Sequence, residues 1–224
     1  MPTTPITDYR QPASTTLPLI LLALFAGEWI ALAIAPLDRH DWLLENMLPL
    51  LGLPLFIMAH RRRPFSNLAC ITLFIFMALH EIGAHYTYAK VPYDDWFRQL
   101  TGYSLDQSLG LGRNSFDRLV HFLYGLLLFP LFRELLAPHI DARGPWQALL
   151  VGMFISAHAG IYEVIEWLAA ALFGGDLGVA YLGTQGDEWD AQKDMAMAFL
   201  GTALALLILF AHRRRGAQPQ RLPV

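Results

Sequence analysis

Acidic and histidine side chains recur three or four residues apart inside stretches of this chain that are otherwise apolar. Residues with this spacing share one face of an α-helix. Four such pairs occur: Glu81 with His85, Asp117 with His121, Glu163 with Glu166, and Asp190 with Asp194. Carboxylates and imidazoles that project inward from facing helices form the metal sites of helix bundles. The pairs therefore predict a bound divalent metal ion, zinc or another.

The ligands of such an ion would be histidine and carboxylate groups, because the single cysteine, Cys70, excludes a thiolate cluster. His80 lies five residues from His85, so the two imidazoles point about 140° apart on a helix. We therefore rank Glu81 and His85 above His80 as candidate metal ligands. The predicted metal ligands are Glu81, His85, Asp117, His121, Glu166, Asp190, Asp194 and, after these, His80.

A cation held in this way would activate water or polarise a phosphoryl or acyl oxygen of a lipid substrate. Arg118, next to Asp117, would hold a phosphate, and Glu163 would act as the base. The predicted catalytic residues are thus Glu163, Arg118 and Glu166. A simpler interpretation of a single acid such as Asp117 is a structural ion pair with Arg118, and for Asp190 it is a helix cap.

The elements that carry these residues are those of a membrane protein. The 224 residues are 55% hydrophobic and 16% charged, with a mean hydropathy of +0.38, which departs far from soluble averages. A membrane-spanning helix needs about 20 mostly apolar residues, and six segments qualify: about 17–36, 42–60, 66–88, 117–137, 146–173 and 192–212. We predict an all-α membrane protein, a bundle of six transmembrane helices in a single domain over residues 1–224.

Basic residues are divided unevenly between the two ends of these segments. One set of ends carries most of them: Arg10, Arg61, Arg62, Arg63, Arg143, Arg213, Arg214, Arg215 and Arg221. Loops rich in lysine and arginine stay in the cytoplasm. Both termini are therefore predicted to be cytoplasmic, and the acids and imidazoles described above fall in the outer half of the bilayer.

Ionisable groups inside a membrane cost a few kcal/mol each, about 3 on insertion scales. Seven acids accompany the one nearby arginine, Arg118: Glu28, Glu81, Asp117, Glu163, Glu166, Asp190 and Asp194. Either several of these acids are protonated or a cation lies among them. Asp190 and Asp194, at the start of the last span, would complete the site, with Gly183 and Gly186 allowing the preceding loop to fold over it.

The outer loop 89–116 contains VPYDDWFRQLTGY, which predicts an interfacial helix that covers the pocket. Trp96, Phe97, Leu100 and Tyr103 would line its apolar face. Such a helix would control access from the lipid.

Four motifs carry a resemblance to a known family: HEIGAHYTYAKVPYDDWFR, RNSFDRLVHFLYG, YEVIEW and GTQGDEWDAQKDMAMAFLG. Together they resemble the YjdF-like family of small bacterial inner-membrane proteins, over nearly the whole chain from His80 onward. More distantly, the order Asp117-Arg118, His121, Glu166, Asp190, Asp194 and Gly201 is similar to the VanZ-like family. Arg118 stands where that family has lysine, and Asp194 where it has asparagine. The second resemblance implies a role near the cell envelope.

The position of the polar residues also separates classes of function. A transporter needs a polar path across both halves of the membrane, but residues 17–26, 125–132 and 203–211 contain no ionisable side chain. A one-sided pocket favours a metal-dependent hydrolase or transferase. A cation or proton transporter and a non-catalytic structural or partner-binding module stay open as alternatives. We expect the lipid bilayer and a lipid-linked or envelope substrate as partners, and no nucleic acid.

Overall fold

The computed structural model describes residues 16–173 and 184–216, and within them the chain forms ten α-helices and no strand. The all-α prediction is confirmed for these residues. The helices are α1 (Leu17–Leu32), α2 (Arg39–Glu45), α3 (Met47–Arg62), α4 (Asn67–His85), α5 (Tyr93–Thr101), α6 (Leu105–Leu109), α7 (Phe116–Leu127), α8 (Phe129–Leu136), α9 (Pro145–Phe173) and α10 (Asp190–Gly216).

Four helical segments of the described chain are long and apolar enough to cross a membrane: Arg39–Arg62, Asn67–His85, Pro145–Leu172 and Asp190–Arg213. A fifth would be α7 together with α8 and the turn that follows it, a pair bent by 40°. Helix α1 has 16 residues, so it is about 24 Å long and shorter than a hydrocarbon core of about 30 Å. Four or five candidate spans are therefore found among the described residues by length and composition, and the predicted number of six is not confirmed.

Polar caps determine where several of these helices begin. The Asp38 side chain accepts hydrogen bonds from the backbone N–H groups of His40 and Asp41, so the helical segment predicted at 42–60 starts at Arg39. Ser66 caps α4 in the same way, because its hydroxyl accepts from the N–H of Ala69. Such caps satisfy backbone donors that have no partner within the helix.

Helices α7 and α10 pack closely against each other, and one glycine on each helix allows this close contact. A β-carbon at Gly125 would lie 2.1 Å from the carbonyl oxygen of Ala198, and one at Gly201 would lie 2.0 Å from that of Phe122. Small residues allow the backbones of membrane helices to approach in this way. The first turns of α7 and α10 consequently lie side by side.

The directions of the helices bring their polar segments to one end of the bundle. Helices α4 and α9 run towards this end, whereas α3, α7 and α10 start there. Helix α4 packs between α1 and α7, and α10 packs against both α7 and α9. The other end of α9 and α10 is filled by an apolar cluster around Val151, Ile155 and Ala205. The fold therefore separates a polar end from an apolar interior.

The outer loop contains two short helices, α5 and α6, each ended by a glycine with a left-handed backbone, Gly102 at φ 80° and Gly110 at φ 66°. The Tyr93 hydroxyl joins the loop to the start of α7, because it donates to Asp106 at 2.6 Å and accepts from the N–H of Ser115 at 2.9 Å. Burial, followed by the bond to Asp106, raises the pKa of Tyr93 to about 12. That α5 lies in the membrane interface stays a prediction.

Candidate metal centre

Three of the predicted ligands meet at the contact between α7 and α10. Asp117 and His121 project from the first two turns of α7, and Asp194 projects from the second turn of α10. One ligand atom of each residue lies within 4.8 Å of the other two. Two ligands about 2.1 Å from the same ion are at most about 4.2 Å apart. Three ligands on one ion are about 3.4 to 3.6 Å apart, so each of the three atoms would have to shift by up to about 0.8 Å.

The imidazole of His121 lies between two carboxylates. Its Nε2 atom is 3.5 Å from Asp117 Oδ1 and 3.5 Å from Glu163 Oε1. These separations are longer than the 2.7 to 3.2 Å of an ordinary N–H···O hydrogen bond. They agree with the distance of about 3.4 Å between two ligands of a tetrahedral zinc ion. The spacing of His121 and Asp117 thus fits two ligands of one ion better than direct hydrogen bonding.

Two oxygen atoms at this centre are buried and accept no hydrogen bond from any described residue. They are Glu163 Oε1 and Asp194 Oδ1. Glu163 and Asp194 are only 8% and 3% exposed, so bulk water does not solvate them freely. Buried polar atoms normally have a partner, and those without one indicate an ion, a water molecule or a catalytic role. The donor set of imidazole and carboxylate oxygens suits zinc or a similar divalent ion.

An ion-pair network lies beside the centre, at the starts of α7 and α10. Arg113 Nη1 donates to Asp190 Oδ1 at 2.5 Å, and Arg118 Nη2 donates to Asp190 Oδ1 at 3.1 Å and to Asp187 Oδ2 at 2.6 Å. Lys193 also donates to Asp187, at 2.6 Å. The bonds from Lys193, from a backbone N–H and from Arg118 hold the pKa of Asp187 at about 2. Asp190, a predicted metal ligand, is thus bound by two guanidinium groups.

The loop before α10 folds onto the start of α7, as the sequence predicts. The Gln185 side chain accepts from the N–H of Asn114 at 3.1 Å and donates to its carbonyl oxygen at 3.0 Å. Gly186 has a φ of 84°, a backbone conformation that glycine adopts without strain. Gly183, the other glycine to which this fold was attributed, lies outside the described residues. The loop and the ion pairs together place Asp190 and Asp194 beside α7.

Other predicted ligands lie near this end of the bundle but outside the three-residue group. His85 Nδ1 hydrogen bonds with the carbonyl oxygen of Leu32 at 2.7 Å. His80 has both ring nitrogens engaged, with the Tyr88 hydroxyl and with the carbonyl oxygen of Glu45. In these positions the two histidines join α4 to its neighbours.

The two remaining glutamates differ in their surroundings. Glu81 is fully buried, beside Asn46 and within electrostatic range of Glu28. Glu166 lines a cavity of about 490 Å³ together with Asp117 and His121. Glu166 therefore lies next to the centre, whereas Glu81 belongs to a separate contact between α4 and the α2–α3 junction.

Two acidic residues of this region, Glu45 and Asp41, were missed from the sequence. Glu45, at the end of α2, is 4% exposed, accepts a hydrogen bond from the Tyr162 hydroxyl at 3.3 Å, and lines the same cavity as Glu166. Asp41, one turn earlier, is buried as well. Their i,i+4 spacing inside an apolar segment is the same signal that identified the other pairs.

Comparisons with known proteins agree with this description. The chain matches the DUF2238 family, described as predicted membrane proteins, over residues 17–215. It is 34% identical over 197 residues to the inner membrane protein YjdF of Escherichia coli (strain K12), a match that covers 88% of this chain and 87% of that protein. No solved structure matches the chain. The more distant likeness to the VanZ-like family stays a prediction. With its long apolar helices, this chain is a multi-pass protein of the bacterial inner membrane and belongs to the DUF2238 family.

Proposed function

We propose that this protein binds a divalent cation through Asp117, His121 and Asp194, and that it acts as a hydrolase or transferase on a lipid or envelope substrate. One observation supports the proposal above all others: the ligand atoms of these three residues lie within 4.8 Å of one another. The unpartnered oxygen of Asp194 adds to it. Three protein ligands with a fourth position left for water or substrate are typical of catalytic zinc sites.

Each of the surrounding acids takes a role that its position supports. The ion, when bound, lowers the pKa of a coordinated water molecule and polarises a substrate oxygen. Glu163, whose Oε1 lies 3.5 Å from His121 Nε2, would accept the proton of an attacking water molecule. Glu166 lines the adjoining cavity and donates a proton to the leaving group. Arg118 as a phosphate ligand stays a prediction, since its guanidinium already binds Asp187 and Asp190.

In this proposal the centre faces the periplasm and both termini are cytoplasmic. The opposite end of the bundle carries basic residues, because Arg63, Arg133 and His212 line a second cavity there. Such residues favour the cytoplasmic side. Helix α1 then serves as the sixth span, with the bilayer thinned locally around its length of about 24 Å.

Metal content is the direct test of the proposal. Protein purified in detergent should contain near-stoichiometric metal by plasma mass spectrometry, and the His121→Ala and Asp194→Asn variants should lose it. His158→Ala is the matched control, because His158 hydrogen bonds with the Tyr124 hydroxyl at 2.7 Å and lies outside the ligand group. A His121→Ala protein that retains the metal of the wild type would refute the proposal.

A second candidate function is a structural module in which the acids only stabilise helix packing. The observation in its favour is the bridge of Arg113 and Arg118 to Asp190. The structural function predicts that wild-type protein contains no stoichiometric metal and that the Asp194→Asn variant unfolds at a lower temperature than wild type. Metal content together with thermal unfolding therefore distinguishes the two candidates.

A further inference from the structure

The centre borders a cavity whose lining changes character along its length. The cavity, of about 490 Å³, lies between α3 on one side and α4, α7, α8 and α9 on the other. A volume of this size is typical of sites that bind one small organic molecule. At the end near the metal ligands, it is lined by Glu45, Asp117, His121, Tyr162 and Glu166. This end of the cavity provides carboxylate, imidazole and phenol groups.

Away from the centre the cavity lining becomes apolar. Leu53, Phe56, Leu73, Phe76, Leu131 and Phe132 form this part. A dry apolar cavity loses the dispersion contacts that a filling molecule would provide, and water would find few polar partners there. The apolar part therefore suits a hydrocarbon chain.

The length of the cavity follows from the helices that line it. Along α2 and α3, residues from Glu45 to Ala59 face the cavity, and along α7 and α8, residues from Asp117 to Leu135 do so. Fourteen residues of helix rise about 21 Å, whereas one leaflet of the hydrocarbon core is about 15 Å thick. The cavity thus has room for an extended chain that begins at the metal centre.

Two aromatic rings lie in the apolar part of the lining. Phe56 of α3 stacks on Phe65, with ring centroids 5.4 Å apart and an angle of 12° between the ring planes. Phe65 is buried and packs with Ala69 and Leu131 in an apolar cluster. A chain lying in the cavity would meet this stack, so its length would be limited.

We infer that this cavity binds one acyl chain of a membrane lipid, with the ester or phosphate of that lipid at the metal centre. The inference rests on the proposed function and specifies its substrate class: a lipid selected by the length of its acyl chain. The polar end receives the headgroup linkage. The Phe56–Phe65 stack sets the longest chain that fits. Longer polyisoprenoid chains exceed the cavity and are excluded.

Gly52 offers a way to fill the cavity without disturbing the fold. It lines the cavity, and a β-carbon added there meets no atom within 4 Å. The Gly52→Phe variant should therefore fold and occupy the space of the chain. Gly27→Phe is the matched control, because a β-carbon at Gly27 also meets nothing within 4 Å and Gly27 of α1 does not line the cavity.

The experiment measures binding of monoacyl phosphatidylglycerols that differ only in chain length, by native mass spectrometry of the full chain in detergent. Wild type and Gly27→Phe should show an optimal chain length and weaker binding of longer chains. Gly52→Phe should lower affinity for the optimal lipid about tenfold or more, which corresponds to about 1.4 kcal/mol. Phe56→Ala should shift the optimum towards longer chains. His121→Ala should retain chain selectivity while losing metal.

The outcomes separate this inference from the proposed function. Affinity that does not depend on chain length, or that is unchanged in Gly52→Phe, overturns the inference even if the metal is present. Equal binding of a polyisoprenyl phosphate overturns the assignment of an acyl chain. Chain-selective binding in a wild-type protein that contains no metal overturns the proposed function and leaves the lipid site in place.

Discussion

The Gly201→Ala substitution perturbs the metal centre without touching any of its ligands. A β-carbon at position 201 would lie 2.0 Å from the carbonyl oxygen of Phe122, next in sequence to His121. Because the obstacle is backbone of another helix, no side-chain rotation relieves it. Helices α7 and α10 must move apart, and Asp194 moves with α10.

The structure sets the size of the effect. A carbon and a carbonyl oxygen approach to about 3.3 Å at closest, so the helices must separate by about 1.3 Å from the 2.0 Å contact. The separation of Asp194 from the α7 ligands, now within 4.8 Å, would grow by up to about 1.3 Å, away from the 3.4 Å or so between two ligands of one tetrahedral ion. We expect a loss in metal affinity of about 10- to 100-fold. Overpacking should also cost about 1 to 3 kcal/mol of stability.

The assay is metal titration of purified apoprotein, with circular dichroism melting of the same samples. Gly160→Ala on α9 is the control, because its added β-carbon would contact only Met195 Sδ, at an ordinary 3.5 Å. Gly160→Ala should match wild type in both measurements. A Gly201→Ala protein with wild-type melting and wild-type metal affinity would show that the close α7–α10 contact does not position the ligands.

Three further predictions concern the polar residues around the centre. His85→Ala should retain the metal and lower stability by about 1 kcal/mol, since its imidazole bonds the Leu32 carbonyl; loss of metal in this variant would contradict its exclusion from the ligand group. The melting temperatures of wild type and Asp187→Asn should differ by a constant amount above pH 4 or so. This difference should shrink as the pH falls towards about 2, because the folded-state pKa of Asp187 is depressed. A difference that does not shrink below pH 3 or so would contradict the ion-pair cause. A double-mutant cycle of Arg113→Gln with Asp190→Asn should give a coupling energy of about 0.5 to 3 kcal/mol. Additive effects of the two substitutions would show that the 2.5 Å ion pair of Arg113 and Asp190 does not contribute to stability.

The helical class and the metal-ligand pair of α7 could be predicted from the sequence because both depend on local spacing. Asp117 and His121 are four residues apart, and their side chains do approach to 3.5 Å. Hydropathy likewise identifies the long apolar helices. The bend between α7 and α8 falls at Leu128, directly before Phe129 and Pro130 at the start of α8, and segment counting could not resolve it.

The choice among the predicted ligands could not be made from the sequence. His85 and His121 have equivalent spacing to an acid, but His85 lies near α1 and bonds a backbone carbonyl, whereas His121 faces α10 across the contact made by Gly125 and Gly201. Which helix packs beside another depends on long-range packing. Glu45 could have been found, since its spacing from Asp41 matches the other pairs.

The distribution of positive charge explains why acids stand at the start of an apolar helix. Asp190 is neutralised by Arg113 and Arg118. The deeper carboxylates are those of Asp117, Glu163 and Asp194. Among the separations that the structure gives, the nearest basic side chain is His121, 3.5 Å from Asp117 and from Glu163. Arg118 Nε is 4.0 Å from Asp194. The carboxylates of Glu163 and Asp194 are buried and that of Asp117 is half-buried, so their negative charge beside one imidazole calls for the positive charge of a proton or a cation.

A proton or a divalent cation could supply that charge, and the two differ in geometry. A proton shared between His121 and Glu163 would draw Nε2 and Oε1 to about 2.8 Å, the length of a charge-assisted hydrogen bond. The separation is 3.5 Å instead, and Glu163 Oε1 has no hydrogen-bond donor among the described residues. In the proposal an ion is held by His121, Asp117 and Asp194, and Glu163 stands beside it as the base, 3.5 Å from His121. The charges and the spacing at this centre are thus consistent with the proposed cation.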